Sequence, residues 1–280
     1  MTPDPDLAPL IARLAKREDQ HKYAHGHAVI LSGGPGQGGA ARLAARGALR
    51  VGAGLVTLGC PLPALAENAA RLDTVMLRPL HDGSALARML EDRRYNAICL
   101  GPGMGFERAR DMVPVAARSG RGVVIDADAL SAYGPDPAAL FALCTSDLVL
   151  TPHGGEFRRL FPDLAERVGS DPEGVLRIAA RRSGAVVLLK GARTVIAAPD
   201  GALAVSDASG ARAAPWLATA GSGDVLAGIV TGLMARGFSG FDAARLGAWL
   251  HVEAARDFGP GLIAEDLPEA LPGVFRALGL

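Results

Sequence analysis

The 280-residue chain balances 29 Lys and Arg against 29 Asp and Glu, so it has no overall field to recruit nucleic acid or an anionic membrane. Its composition excludes a disordered, fibrous or disulfide-built protein, and no apolar run approaches the length of a bilayer span. Any phosphate binding must be local.

Asp4 and Asp6 open the chain where a signal peptide would be basic and then apolar, which predicts a cytoplasmic protein. Cys60, Cys99 and Cys144 are scattered, lack metal-ligand spacing and read as reduced and structural. With no linker or repeat, one domain over 1–280 is the economical reading.

Residues 1–20 read as a lead-in, with an apolar-periodic helix over 7–14. The segment His21-Lys22-Tyr23-Ala24-His25-Gly26-His27 then precedes the buried strand Ala28-Val29-Ile30-Leu31. A glycine loop over 32–39 and an Ala-rich helix over 40–50 follow, the order seen in nucleotide-binding units. The glycines match neither P-loop nor Rossmann spacing, so a plain flexible connection stays open as the alternative. Further strands are predicted at 55–59, 74–78, 97–101, 122–126, 147–151 and 185–190, with helices between most of them. These are unbroken apolar runs rather than alternating ones, which predicts a mostly parallel α/β sheet covered by helices on both faces, a three-layer αβα sandwich. Past Lys190, residues 194–198, the turn Pro199-Asp200-Gly201 and residues 203–206 read as an antiparallel hairpin at the sheet edge. The rest is helical: 224–236, apolar almost all round and therefore central, then 241–258.

The stretch 218–228 concentrates the chemistry. Gly221 and Gly223 let the backbone approach a ligand, and the first amides of the next helix, with its dipole, favour a phosphate and an ionised Asp224. Gly221, Ser222 and Gly223 are thus candidate phosphate-stabilising residues, and Asp224 a candidate general base; a bare helix start capped by Ser222 or Asp224 is the other reading. In open α/β sheets ligands bind beyond the carboxyl ends of the strands. There this chain places Gly101-Pro102-Gly103-Met104-Gly105, then Asp126 and Asp128, then Thr151-Pro152-His153-Gly154-Gly155-Glu156, then Lys190-Gly191-Ala192-Arg193-Thr194. Each has a structural alternative as helix cap, turn residue, first-turn charge or solvated strand end. Together on one rim, facing Asp224, they favour a site. His81, His251 and the cysteines lack such company and read as structural.

In order and wording, residues 27–44, 52–57, 101–105, 126–130, 151–157, 189–195 and 218–228 resemble the ADP-dependent NAD(P)H-hydrate dehydratases of the ribokinase-like superfamily. The resemblance implies repair of hydrated NADH or NADPH (NADHX, NADPHX), with ADP as phosphoryl donor and Mg2+ on its phosphates, for which no protein ligand set is legible. It implies that Ala40, Gly103, His153 and Asp224 contact the hydrate, and that Lys190, Gly191, Ala192, Arg193, Thr194 and Gly223 form the AMP site. It also implies a homo-oligomer, a tetramer in the family. Only 20 residues precede His21, so the family's frequent N-terminal epimerase domain is not expected here and a separate epimerase is. Relatives usually read Lys-Gly-Asp-Tyr-Gly-His where this chain has Lys22-Tyr23-Ala24-His25-Gly26-His27, and Asn-Pro-Gly-Met-Ala-Thr where it has Ala214-Pro215-Trp216-Leu217-Ala218-Thr219. Two rival readings are a ribokinase-like kinase of a hydroxymethylpyrimidine or thiazole alcohol, using the same Gly-x-Gly-Asp turn, and a nucleotide-binding protein without turnover.

Overall fold

The computed structural model describes residues 5–280, so the first four residues of the 1–20 lead-in lie outside the described residues. The lead-in helix is shorter than expected: a 3-10 turn, Pro5–Leu7, runs into the helix Ala8–Ala12, which buries Leu10 and Ile11.

Nine strands form one sheet in the order β3-β2-β1-β4-β5-β6-β7-β8-β9. They are β1 (His27–Leu31), β2 (Leu55–Cys60), β3 (Met76–Pro79), β4 (Ala97–Leu100), β5 (Gly122–Ile125), β6 (Leu148–Leu150), β7 (Val186–Leu189), β8 (Arg193–Ala197) and β9 (Leu203–Asp207). Pairing is parallel from β3 through β7 and antiparallel at β7–β8 and β8–β9, as the 194–206 hairpin predicted. Helices cover both faces: within β1, Ala28 and Ile30 join one core while Val29 and Leu31 join the other. The 74–78 expectation is corrected, because its strand begins at Met76 and lies at the sheet edge with that side chain exposed. Strand order reverses between β1 and β4, and at such a switch point the connections diverge and leave a crevice at the carboxyl ends.

Two helices set that crevice. Ser222–Ala235 is buried from Val225 to Ala235 and lies backbone to backbone on Gly39–Arg50. A side chain at Gly228 would run into the Ala44 carbonyl, one at Gly47 would come 2.8 Å from the Val225 oxygen, and one at Gly232 would come 2.7 Å from the Ala48 oxygen. Small residues therefore permit a contact that any larger one would wedge apart. Leu43 lies against Gly221 and Val51 against Gly232, so the helices run the same way and both start at the carboxyl rim. No helix among the described residues is long and apolar enough to cross a membrane.

Candidate active site

At the switch point the loops after β1 and β4 interlock. A side chain at Gly33 would strike the Gly103 carbonyl, and one at Gly103, where φ is +62°, would come 2.7 Å from the Gln37 carbonyl oxygen and 3.7 Å from Ala40 Cβ. Ala40 and Gly103 thus adjoin.

Beyond β5 and β7 the rim is ionic. The Asp126 side chain is buried, and its Oδ1 accepts hydrogen bonds from Thr151 Oγ1 at 2.9 Å and Lys190 Nζ at 2.6 Å. Two structural alternatives fall here: Asp126 occupies a helix N-cap position without making the cap bond, and Lys190 is not a solvated strand end. Ala127, with φ of +45°, is the only non-glycine residue with positive φ among the described residues. Such strain persists where surrounding contacts over-determine the backbone, here beside the Asp126 ion pair. Asp128 accepts from the Gly105 amide at 2.9 Å, tying the β4 loop to the β5 end.

His153 bridges Lys190 through backbone pairing and is the N-cap of the helix Gly154–Leu160. Its Nδ1 accepts from the Gly155 amide at 2.9 Å, while Glu156 accepts from the His153 amide at 2.8 Å, a reciprocal capping box. Its structural alternative is therefore real, and the exposed Nε2 edge stays on the rim.

Gly221, at φ of +89°, is the N-cap of the helix Ser222–Ala235. Ser222 Oγ donates to the Leu217 carbonyl at 2.8 Å, so the reading of Ser222 or Asp224 as cap is corrected. Asp224 is half-buried. Burial pushes its carboxyl from the ordinary 3.8 up to about 7, Asp126 adds to the rise and Lys190 opposes it. The helix dipole, worth ~0.3–1 kcal/mol, favours the ionised form but cannot offset roughly 4 kcal/mol of destabilised charge, so burial outweighs it at Asp224. Burial alone would lower the Lys190 ammonium, but Asp126, Glu156 and Asp224 outweigh it and hold Lys190 above its usual value. Four carboxyl groups, Asp126, Asp128, Asp224 and Glu156, thus face a single ammonium. An anionic phosphate can enter such a rim only with a compensating cation. Among the described residues, no three His, Cys, Asp or Glu side chains converge as a metal site.

Beside this rim lies a cavity of about 510 Å³ lined by Lys190, Gly191, Ala192, Thr194, Ser222 and Gly223 together with apolar residues and His251. Two residues, Arg193 and His251, depart from expectation. Arg193 lies outside the lining and pairs with Glu173 at 2.6 Å. Ala40, Gly103 and His153, assigned to the hydrate rather than to the nucleotide, are not in that lining. His251, read as structural, lines the cavity, and its Nε2 donates to the Ser222 carbonyl at 2.9 Å. A lone His in the apolar helix Gly240–Phe258 carries no signal by spacing; only the fold sets it beneath the Gly221–Asp224 turn.

Residues 28–271 match the family described as NAD(P)H-hydrate dehydratase. The chain belongs to the NAD(P)H-hydrate dehydratase family. It is 39% identical over 286 residues to the bifunctional NAD(P)H-hydrate repair enzyme Nnr of Moorella thermoacetica, an alignment covering 95% of this chain and 52% of that protein. It is 36% identical over 246 residues to the ADP-dependent (S)-NAD(P)H-hydrate dehydratase of Neisseria meningitidis, covering 86% of this chain and 80% of that one. The chain spans about half the length of the bifunctional relatives, 52% and 48% for those of Moorella and Gloeobacter violaceus. The Bacillus subtilis ADP/ATP-dependent NAD(P)H-hydrate dehydratase co-crystallised with ATP/Mg2+ superposes with a TM-score of 0.77 at 25% identity, covering 94% of this chain and 93% of that one. A ribokinase-like superfamily protein of Enterococcus faecalis gives 0.78 at 22% identity over 95% of this chain and 94% of its own. This dehydratase-family chain therefore has the ribokinase-like fold.

Proposed function

We propose that the protein, as one domain, dehydrates the (S)-hydrates of NADH and NADPH using ADP, releasing AMP and phosphate. The observation that carries this reading is Asp224: a carboxyl pushed up to about 7 in the first turn of a buried helix, directly after Ser222 and Gly223, which line the cavity. In this reading Lys190, Gly191, Ala192, Thr194 and Gly223 hold ADP, Arg193 borders them, and Ala40, Gly103 and His153 hold the hydrate. The hydrate hydroxyl attacks the β-phosphorus of ADP, its proton passes to Asp224, and the bond to the AMP oxygen breaks. The amides of Gly221, Ser222 and Gly223 stabilise charge on the moving phosphoryl group. The ring nitrogen lone pair then expels phosphate, and loss of the neighbouring ring proton restores the dihydropyridine. Mg2+, entering on the phosphates beside Asp126 and Asp224, would neutralise phosphoryl charge.

The family names and the fold support this reading. A homo-oligomer would cover apolar side chains such as Trp216, Phe258 and Ile263, all exposed here, and the family resemblance favours a tetramer working in the cytoplasm. The test is recovery of dihydronicotinamide absorbance from each hydrate with ADP, with ATP in parallel. Folded protein that gives no nucleotide-dependent recovery refutes it.

A further inference from the structure

The cavity lining carries four polar side chains: Lys190, Thr194, Ser222 and His251. Three are already engaged. Lys190 is bonded to Asp126, Thr194 Oγ1 donates to the Gly191 carbonyl at 3.0 Å, and Ser222 Oγ donates to the Leu217 carbonyl. His251 differs. A carbonyl only accepts, so Nε2 must carry the hydrogen that it shares with Ser222. Burial lowers the imidazole to about 4, so it is neutral near pH 7. In that tautomer Nδ1 is an acceptor, and it makes no hydrogen bond among the described residues. His251 lines the cavity, and a lone pair there selects for a hydrogen-bond donor, because a ligand carbonyl oxygen would repel it and a C–H would leave it unpaired.

We infer that His251 is a specificity-determining residue that selects adenine, accepting a hydrogen bond from its exocyclic amine at Nδ1. The inference rests on reading this cavity as the nucleotide site. Adenine offers an amine where hypoxanthine and guanine offer a carbonyl oxygen. Through Nε2 the same ring holds the Ser222 carbonyl, so base recognition and placement of the Gly221–Asp224 turn share one side chain.

Calorimetric titration of the full chain with AMP, IMP and purine riboside 5′-monophosphate, which lacks the amine, tests this. Wild type should bind AMP about 10- to 100-fold more tightly than the other two. His251→Phe should bring all three to nearly equal affinity, and His251→Gln, which keeps a donor and an acceptor, should restore part of the preference. Equal wild-type affinity for AMP and IMP, or a preference that survives in His251→Phe, overturns the inference and leaves the nucleotide site standing. Failure of wild type to bind any of the three overturns both. Should His251→Phe not fold, the wild-type series with three ligands decides alone.

Discussion

Replacing Asp224 with Asn keeps the shape of the side chain and removes both its charge and its capacity to take a proton. In the folded chain the carboxyl titrates at about 7 against an ordinary 3.8, an interval of roughly 4 kcal/mol at ~1.4 kcal/mol per pH unit. Between these values the folded chain holds a proton that the unfolded chain has lost, so this residue's contribution to stability declines as pH rises and is at its worst above about 7. Asp224→Asn is free of that charge. The variant should melt close to wild type at pH near 4 and above it at pH 8, by up to about 8 °C at ~2 °C per kcal/mol for a chain of this size. Turnover should move the other way, falling about 100- to 10,000-fold while ADP still binds. Wild-type turnover should show an acidic limb near pH 7, where Asp224 loses its proton. The assay pairs thermal melts without nucleotide across pH with hydrate turnover and ADP calorimetry. A melting advantage that is flat with pH refutes the buried-carboxyl argument, and near-normal turnover in the folded variant refutes the base.

Lys190→Ala should leave Asp126 buried without its ion-pair partner, destabilising the chain by about 3 kcal/mol or more. It should also move the acidic limb of turnover to higher pH, since Lys190 is what holds the Asp224 carboxyl down; melts and a pH–rate profile read both effects. His153→Ala loses the cap of Gly154–Leu160 and should lower stability by about 1 kcal/mol while raising the KM for the hydrate more than that for ADP; steady-state kinetics with each substrate varied checks the split. Gly228→Val should cost about 3 kcal/mol or more by driving a side chain into the Ala44 carbonyl, seen as a large drop in melting temperature.

The strands were readable because β1, β4, β5, β6 and β7 are buried on both faces and so spell uninterrupted apolar runs. The edge strand β3 was misjudged because a local run of apolar residues says nothing of whether a neighbour covers it. The rim was readable wherever a chemical residue ends a strand, as at Asp126, His153 and Lys190. What no spacing encodes is the Lys190–Asp126 pair across 64 positions, the pull of that pair and of burial on Asp224, or the arrival of His251 beneath Ser222. Those follow from three-dimensional proximity and from the loss of water. Arg193 shows the converse: a residue inside a recognisable loop whose side chain turns to Glu173.

The contact of Gly228 with Ala44 also determines what this site can and cannot adjust. The helix bearing Asp224 and the helix beginning beside Ala40 meet main chain to main chain, so the separation of Asp224 from Ala40 is fixed by peptide geometry rather than by interchangeable side chains. Substitution in the surrounding loops, such as the Trp216 turn, can reshape the cavity mouth while the spacing of these two helices stays as it is.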